Sequence, residues 1–128
     1  MLDFMRVMVA DDSRTTAKRM TGFLQHLGHE VIAHATTGPQ AVRLYERLRP
    51  ELLVLDIVMP GMDGLDVLRA IRGFAPEGRV LIVSSTAGVG GNVQKALSLG
   101  VIDVLPKPVS LEALQRALAT PAAPAGER

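Results

Sequence analysis

No cysteine occurs in the 128 residues. That excludes disulfides, thiolate metal sites and cysteine nucleophiles. There is no tryptophan and one tyrosine, Tyr45, which leaves little surface on which a planar cofactor could stack. An excess of one charge is also missing, with 14 basic residues against 13 acidic ones, spread along the chain. A nucleic-acid footprint would need clustered Lys and Arg, so direct DNA or RNA binding is not expected. No apolar run approaches the roughly 20 residues that span a bilayer. The N-terminal "MLDFMRVMVADDS" lacks a charged segment followed by a long apolar one, so no signal peptide is read. A cytoplasmic protein without a membrane partner is the expectation.

What is present is apolar content of 48%, enough for one packed core of ordinary domain size. Short apolar runs alternate with helical patterns. Strands are expected at 6–10, 30–35, 51–56, 79–85 and 101–106, and helices at 13–28, 38–50, 64–74, 91–100 and 110–120. Ser13 and Asp63 are suited to cap their helices, Pro39 to a first turn and Gly28 to a stop. The third and fourth strands are continuous apolar runs, the pattern of burial on both faces. Five β/α units with such strands give an α/β fold with an open, doubly wound parallel sheet. A closed barrel needs eight units. Residues 1–119 form this domain, and 120–128, "TPAAPAGER", read as a disordered tail or the start of a linker.

Doubly wound sheets bind ligands at the carboxyl ends of their strands. Asp11 and Asp12 follow the first strand and Asp56 ends the third, so all three acids fall at that edge. Three close carboxylates repel unless a cation compensates. An all-oxygen set points to Mg²⁺. An acid after a strand is otherwise a capping or turn residue, but three at one edge argue against that. Lys107 sits between two prolines, "LPKP", which restrict its backbone and aim its side chain at the same edge. The Lys107-Pro108 bond is a candidate cis peptide. Ser84 and Ser85 end the fourth strand there.

Together "VADDS", "LLVLDIVMPGMDG", "VLIVSS" and "GVIDVLPKP" resemble the receiver domain of two-component response regulators, over residues 5 to about 119. Each motif is weak alone, but four in order on the right elements are specific. The resemblance implies a flavodoxin-like (βα)5 fold with strand order 2-1-3-4-5. It implies Asp56 as phosphoacceptor, and Asp11 and Asp12 as the acid pair for Mg²⁺, with Asp12 the preferred direct ligand. The backbone carbonyl of Val58 would be a further metal ligand. Lys107 would contact the phosphoryl oxygens, and Ser84 would be the hydroxyl switch residue with Ser85 the small residue after it. The implied partners are a sensor histidine kinase or histidine phosphotransfer protein, and a downstream protein effector. The implied docking and homodimer surface is the face of the fourth helix, fifth strand and fifth helix.

Two features depart from the family pattern. The aromatic expected three positions before the lysine is Val104, so an aromatic switch cannot work in the usual way. The loop "STAGVGGN", 85–92, carries three glycines and counts one residue long. Ser84 is preferred over the alternative Ser85 because insertions belong in loops. The loop lacks the Gly-Lys-Ser/Thr ending of a nucleotide cradle, and its glycines are read as switch-loop mobility. Three other readings stay open. One is the receiver half of a longer regulator. Another is a Mg²⁺-dependent phosphohydrolase, which usually carries an acid where Val58 stands. The last is a flavodoxin-like cofactor binder.

Overall fold

The computed structural model describes residues 4–85 and 92–119. Five strands alternate with five helices: β1 Arg6–Ala10, α1 Arg14–His26, β2 Glu30–Ala35, α2 Gly38–Leu48, β3 Leu52–Asp56, α3 Gly64–Phe74, β4 Arg79–Ser84, α4 Asn92–Ser98, β5 Asp103–Pro106 and α5 Leu111–Ala119. All strand pairs are parallel and the order is β2-β1-β3-β4-β5, as the sequence led us to expect.

The continuous apolar runs are explained by alternation within each strand. Val7 and Val9, Leu52 and Val54, and Leu81 and Val83 pack with α1 and α5 residues Ala17, Met20, Leu24 and Leu114. Their neighbours Met8 and Ala10, Leu53 and Leu55, and Val80 and Ile82 pack with Ala41, Leu68, Ile71 and Ala96 of the other helices. Successive side chains point to opposite faces of a strand, so one run feeds two cores. Each fully buried Leu or Ile stabilises the fold by about 1.5–3 kcal/mol relative to exposure.

The expected caps form. Ser13 accepts from the Thr16 amide, and Asp63 and Asp66 make a reciprocal capping box; Thr37, which the sequence reading did not single out, caps α2 by accepting from the Gln40 amide. Most corrections to the element bounds are at the ends. The first helix stops at His26 and the chain turns through Gly28 at φ 94°. The fourth helix stops at Ser98, and Gly100 at φ 80° turns the chain before β5. Only residues without a Cβ adopt such angles freely, so Gly28 is the stop the sequence suggested and Gly100 lies outside the helix assigned to it. Glu51 is not a strand residue. Its carboxylate instead accepts from the Arg6 amide at 2.8 Å. Thr86–Gly91 of the glycine-rich loop and the tail 120–128 lie outside the described residues. Among the described residues, no helix is long and apolar enough to cross a membrane.

Candidate functional site

The same alternation brings the charged residues together. Val9, Val54 and Leu105 all belong to the α1–α5 core. The next position on that face is Asp11 after β1, Asp56 at the end of β3 and Lys107 after β5. Ala10 pairs with Leu55, and Asp56 pairs with Val83, itself the partner of Leu105. Asp11 and Asp56 are therefore level, and Lys107, two residues beyond Leu105, reaches back over them.

Three polar residues are buried among the described ones: Asp11 at 2% exposure, Asp56 at 3% and Ser84 at 1%. The Lys107 ammonium donates to Asp11 Oδ2 at 2.9 Å and to Asp56 Oδ2 at 3.1 Å. The remaining oxygen of each acid is held by the amide two residues on. Ser13 N donates to Asp11 Oδ1 at 2.8 Å, and Val58 N to Asp56 Oδ1 at 3.1 Å. Asp12 is exposed at the rim.

Burial pushes the Asp56 carboxyl above the usual carboxylate range. The Val58 amide and Lys107 pull the other way, and the Asp11 charge adds to the rise. Lys107 would be lowered by burial, but its bonds to Asp11 and Asp56 outweigh that and push it up. The two shifts thus differ in cause, burial for the acid and its carboxylate partners for the ammonium. With Asp12 the cluster carries three acids and one cation. A carboxylate oxygen from each of Asp11, Asp12 and Asp56 lies within 4.8 Å of the others. Such an all-oxygen, net negative pocket can bind a hard divalent metal ion.

The floor of the site is built by glycine. Gly64 opens α3 and donates to the Ile57 carbonyl at 2.8 Å. A Cβ there would meet the Asp56 carbonyl oxygen and, at 2.6 Å, Ile57 Cα. Between them Ile57 and Met59 are buried, while the Val58 side chain is about half exposed. The Lys107-Pro108 bond is cis, as the sequence suggested.

The remaining expected residues fall as follows. Ser84 ends β4 one residue beyond Val83, the register partner of Asp56, and its carbonyl accepts from Lys107 N at 3.0 Å. Ser85 is exposed. Val104 pairs with Ile82 and packs against the α2–α3 core. Tyr45 is far from any switch role in its contacts, with its ring 6.1 Å from that of Phe74. Sequence reasoning missed His34. Its Nε2 lies 2.9 Å from the Asp11 carbonyl oxygen, and a lone histidine among the small apolar residues of β2 gives no signal of that contact.

A doubly wound parallel domain with a metal-competent acid cluster and a lysine at the strand ends is the class these features define. The chain belongs to the response regulator receiver domain family, whose family model matches residues 7–119. It is 33% identical to the chemotaxis protein CheY of Listeria monocytogenes over 117 residues, covering 88% of this chain and 98% of that one. It is 39% identical to protein-glutamate methylesterase/protein-glutamine glutaminase 5 of Myxococcus xanthus over 83% of this chain, but spans only 31% of that protein's length. Among solved structures it is similar to the CheY of Borrelia burgdorferi in a CheX-CheY-BeF3-Mg²⁺ complex. There the TM-score is 0.85 and the identity 29%, with 91% of this chain and 87% of that one covered.

Proposed function

We propose that this receiver domain is switched by phosphorylation of Asp56. The observation that carries the reading is a 3% exposed strand-end carboxylate, bonded to Lys107 and crowded by Asp11. In the reaction an Asp56 oxygen attacks the phosphorus of the donor. The bond from phosphorus to the donor's imidazole nitrogen or acyl oxygen breaks as the Asp56 O–P bond forms, and the electron pair leaves with the donor. Lys107 offsets charge on the transferred oxygens, and Ser84, with Ser85 as the alternative, donates a hydrogen bond to them. Asp11, Asp12, Asp56 and the Val58 carbonyl would hold Mg²⁺. The ion supplies charge neutralisation, which with positioning is most of what phosphoryl transfer asks of a protein. The Borrelia neighbour, with BeF3 and Mg²⁺ in its complex, supports this assignment.

The domain would act in the cytoplasm as a signalling module whose only chemistry is on its own carboxylate. Its donor would be a sensor histidine kinase or histidine phosphotransfer protein, and its output a protein effector. The half-exposed Leu97 on α4 supports docking, or pairing of two copies, on the α4-β5-α5 face. With Val104 in place of an aromatic, α4 and the loop before it would carry the change.

The test is intact mass after incubation with Mg²⁺ and a small acyl phosphate. One phosphoryl adduct on the wild type, lost without Mg²⁺ and in Asp56→Asn, supports the reading. A folded wild type that gains none refutes it. A second reading is that this receiver is part of a longer regulator. It is favoured by the methylesterase relatives, of which the match covers 31% and 28%. Following the reading frame beyond Arg128 tests it.

A further inference from the structure

His34 makes a contact that the switch chemistry does not use. Its Nε2 lies 2.9 Å from the Asp11 main-chain oxygen. A carbonyl oxygen only accepts, so Nε2 carries the proton and donates, whichever charge the ring has. The Asp11 amide in turn donates to the Ala35 carbonyl at 2.9 Å. Both backbone groups of Asp11 are thus tied to the end of β2. Its side chain is tied by Ser13 and Lys107.

Other bonds at this strand end are already committed. The Thr36 amide and hydroxyl both donate to Gln40 Oε1, at 2.8 and 3.2 Å. The half-buried His34 ring lines a groove between α1 and α2 with Arg14, Lys18, Thr36 and Gln40. None of these is an acid that could draw the N–H away from the carbonyl.

We infer that His34 is a positioning residue for the metal site: by holding the Asp11 carbonyl it fixes the turn that presents Asp11 and Asp12 to a divalent cation. This rests on the proposed metal reading of the acid cluster. Preorganised ligands bind more tightly because less ordering remains to be done on binding. The groove is open, so water can replace the lost donor when His34 is removed. The loss should therefore appear in metal affinity more than in stability. A whole hydrogen bond is worth roughly fivefold in an equilibrium constant, and part of that is about threefold.

The experiment is Mg²⁺ titration calorimetry, with melting temperature in EDTA, on wild type, His34→Leu, His34→Gln, Thr36→Val and Asp12→Asn. Glutamine carries an N–H at similar reach. The expected result is His34→Leu about threefold weaker for Mg²⁺ with a nearly unchanged melting temperature, His34→Gln restored, and Thr36→Val unaffected. His34→Val serves in place of His34→Leu should the latter not fold. Wild-type affinity in His34→Leu, or an equal loss in His34→Gln, overturns the inference while leaving the site reading intact. A wild type that binds no Mg²⁺, or an Asp12→Asn variant that binds as well as wild type, overturns the metal reading and this inference with it.

Discussion

Replacing Asp56 with asparagine should stabilise the metal-free protein. Asp56 is nearly isosteric with Asn, and what the change removes is one buried charge. Two carboxylates with oxygens within 4.8 Å of each other repel by at least roughly 3 kcal/mol at an effective dielectric near 20, and an ammonium at 3.1 Å attracts by about 5 kcal/mol. The Val58 amide adds about 2 kcal/mol to the favourable side. Burial of the carboxylate costs several kcal/mol. Burial is the largest of these and leaves the charge disfavoured, the direction of the raised Asp56 carboxyl; a net on the order of 1 kcal/mol is the scale of an ordinary single substitution. For a domain of this size that is about 4 °C in melting temperature, measured by differential scanning calorimetry in EDTA at pH 7. The sign of the pH dependence follows. A carboxyl raised in the folded state binds protons more tightly there than when unfolded. Its penalty is full above the folded value and vanishes below the ordinary carboxylate value near pH 4. The gap between variant and wild type should close as pH falls through that window. Mg²⁺ should raise the wild-type melting temperature and move the variant less, since ligand binding to the folded state stabilises it. A variant less stable than wild type at pH 7 in EDTA would mean that the Lys107 pair outweighs the crowding, and would refute the argument.

Three further predictions are accessible by denaturation. Gly64→Ala should cost about 3 kcal/mol in urea unfolding, because its Cβ meets main-chain atoms of Asp56 and Ile57 that no rotamer can clear. Arg72 donates to the carbonyls of Leu99, Gly100, Ala75 and Gly78, clamping the turns after α3 and α4. Arg72→Leu should cost roughly 2–3 kcal/mol in the same assay, with Arg72→Lys giving little rescue because an ammonium lacks the planar fork. His29 accepts from the Met5 amide through Nδ1 at 3.2 Å, and burial, then Arg79, lowers its proton affinity. Its stabilisation is present above the ordinary histidine value near 6.5 and is lost as pH falls through the lowered folded value. The wild-type melting temperature should therefore drop more steeply between pH 7 and pH 5 than that of His29→Asn.

The fold was legible because two periodicities and a handful of caps leave little choice. Runs such as "LLVLD" and "VLIVS" can satisfy both faces only inside a covered parallel sheet, and the helices between them must then lie on both sides. Gly28 was read as a stop and turns the chain at positive φ, whereas Gly100, also at positive φ, was placed inside its helix, since a glycine in a sequence does not announce its angle. The acids and the lysine were legible for a related reason. A charge that ends an apolar strand has no place in the core, so it marks the sheet edge.

What sequence could not give is the division of labour between neighbours. "DD" does not say which acid is buried, but the strand does. Asp11 continues the Val7–Val9 face and is buried, while Asp12 turns outward to the rim. That asymmetry suits the pair to different tasks. The buried acid already accepts from Ser13 and Lys107, whereas the outer one is open to solvent. His34 was invisible for the opposite reason. It bonds to a backbone oxygen that every residue possesses, so no partner residue in the sequence betrays it. Side chains that act on side chains leave a pair of letters to find. Those that act on the main chain, as His34 and Arg72 do, leave only one, and it becomes readable when the fold supplies the other half.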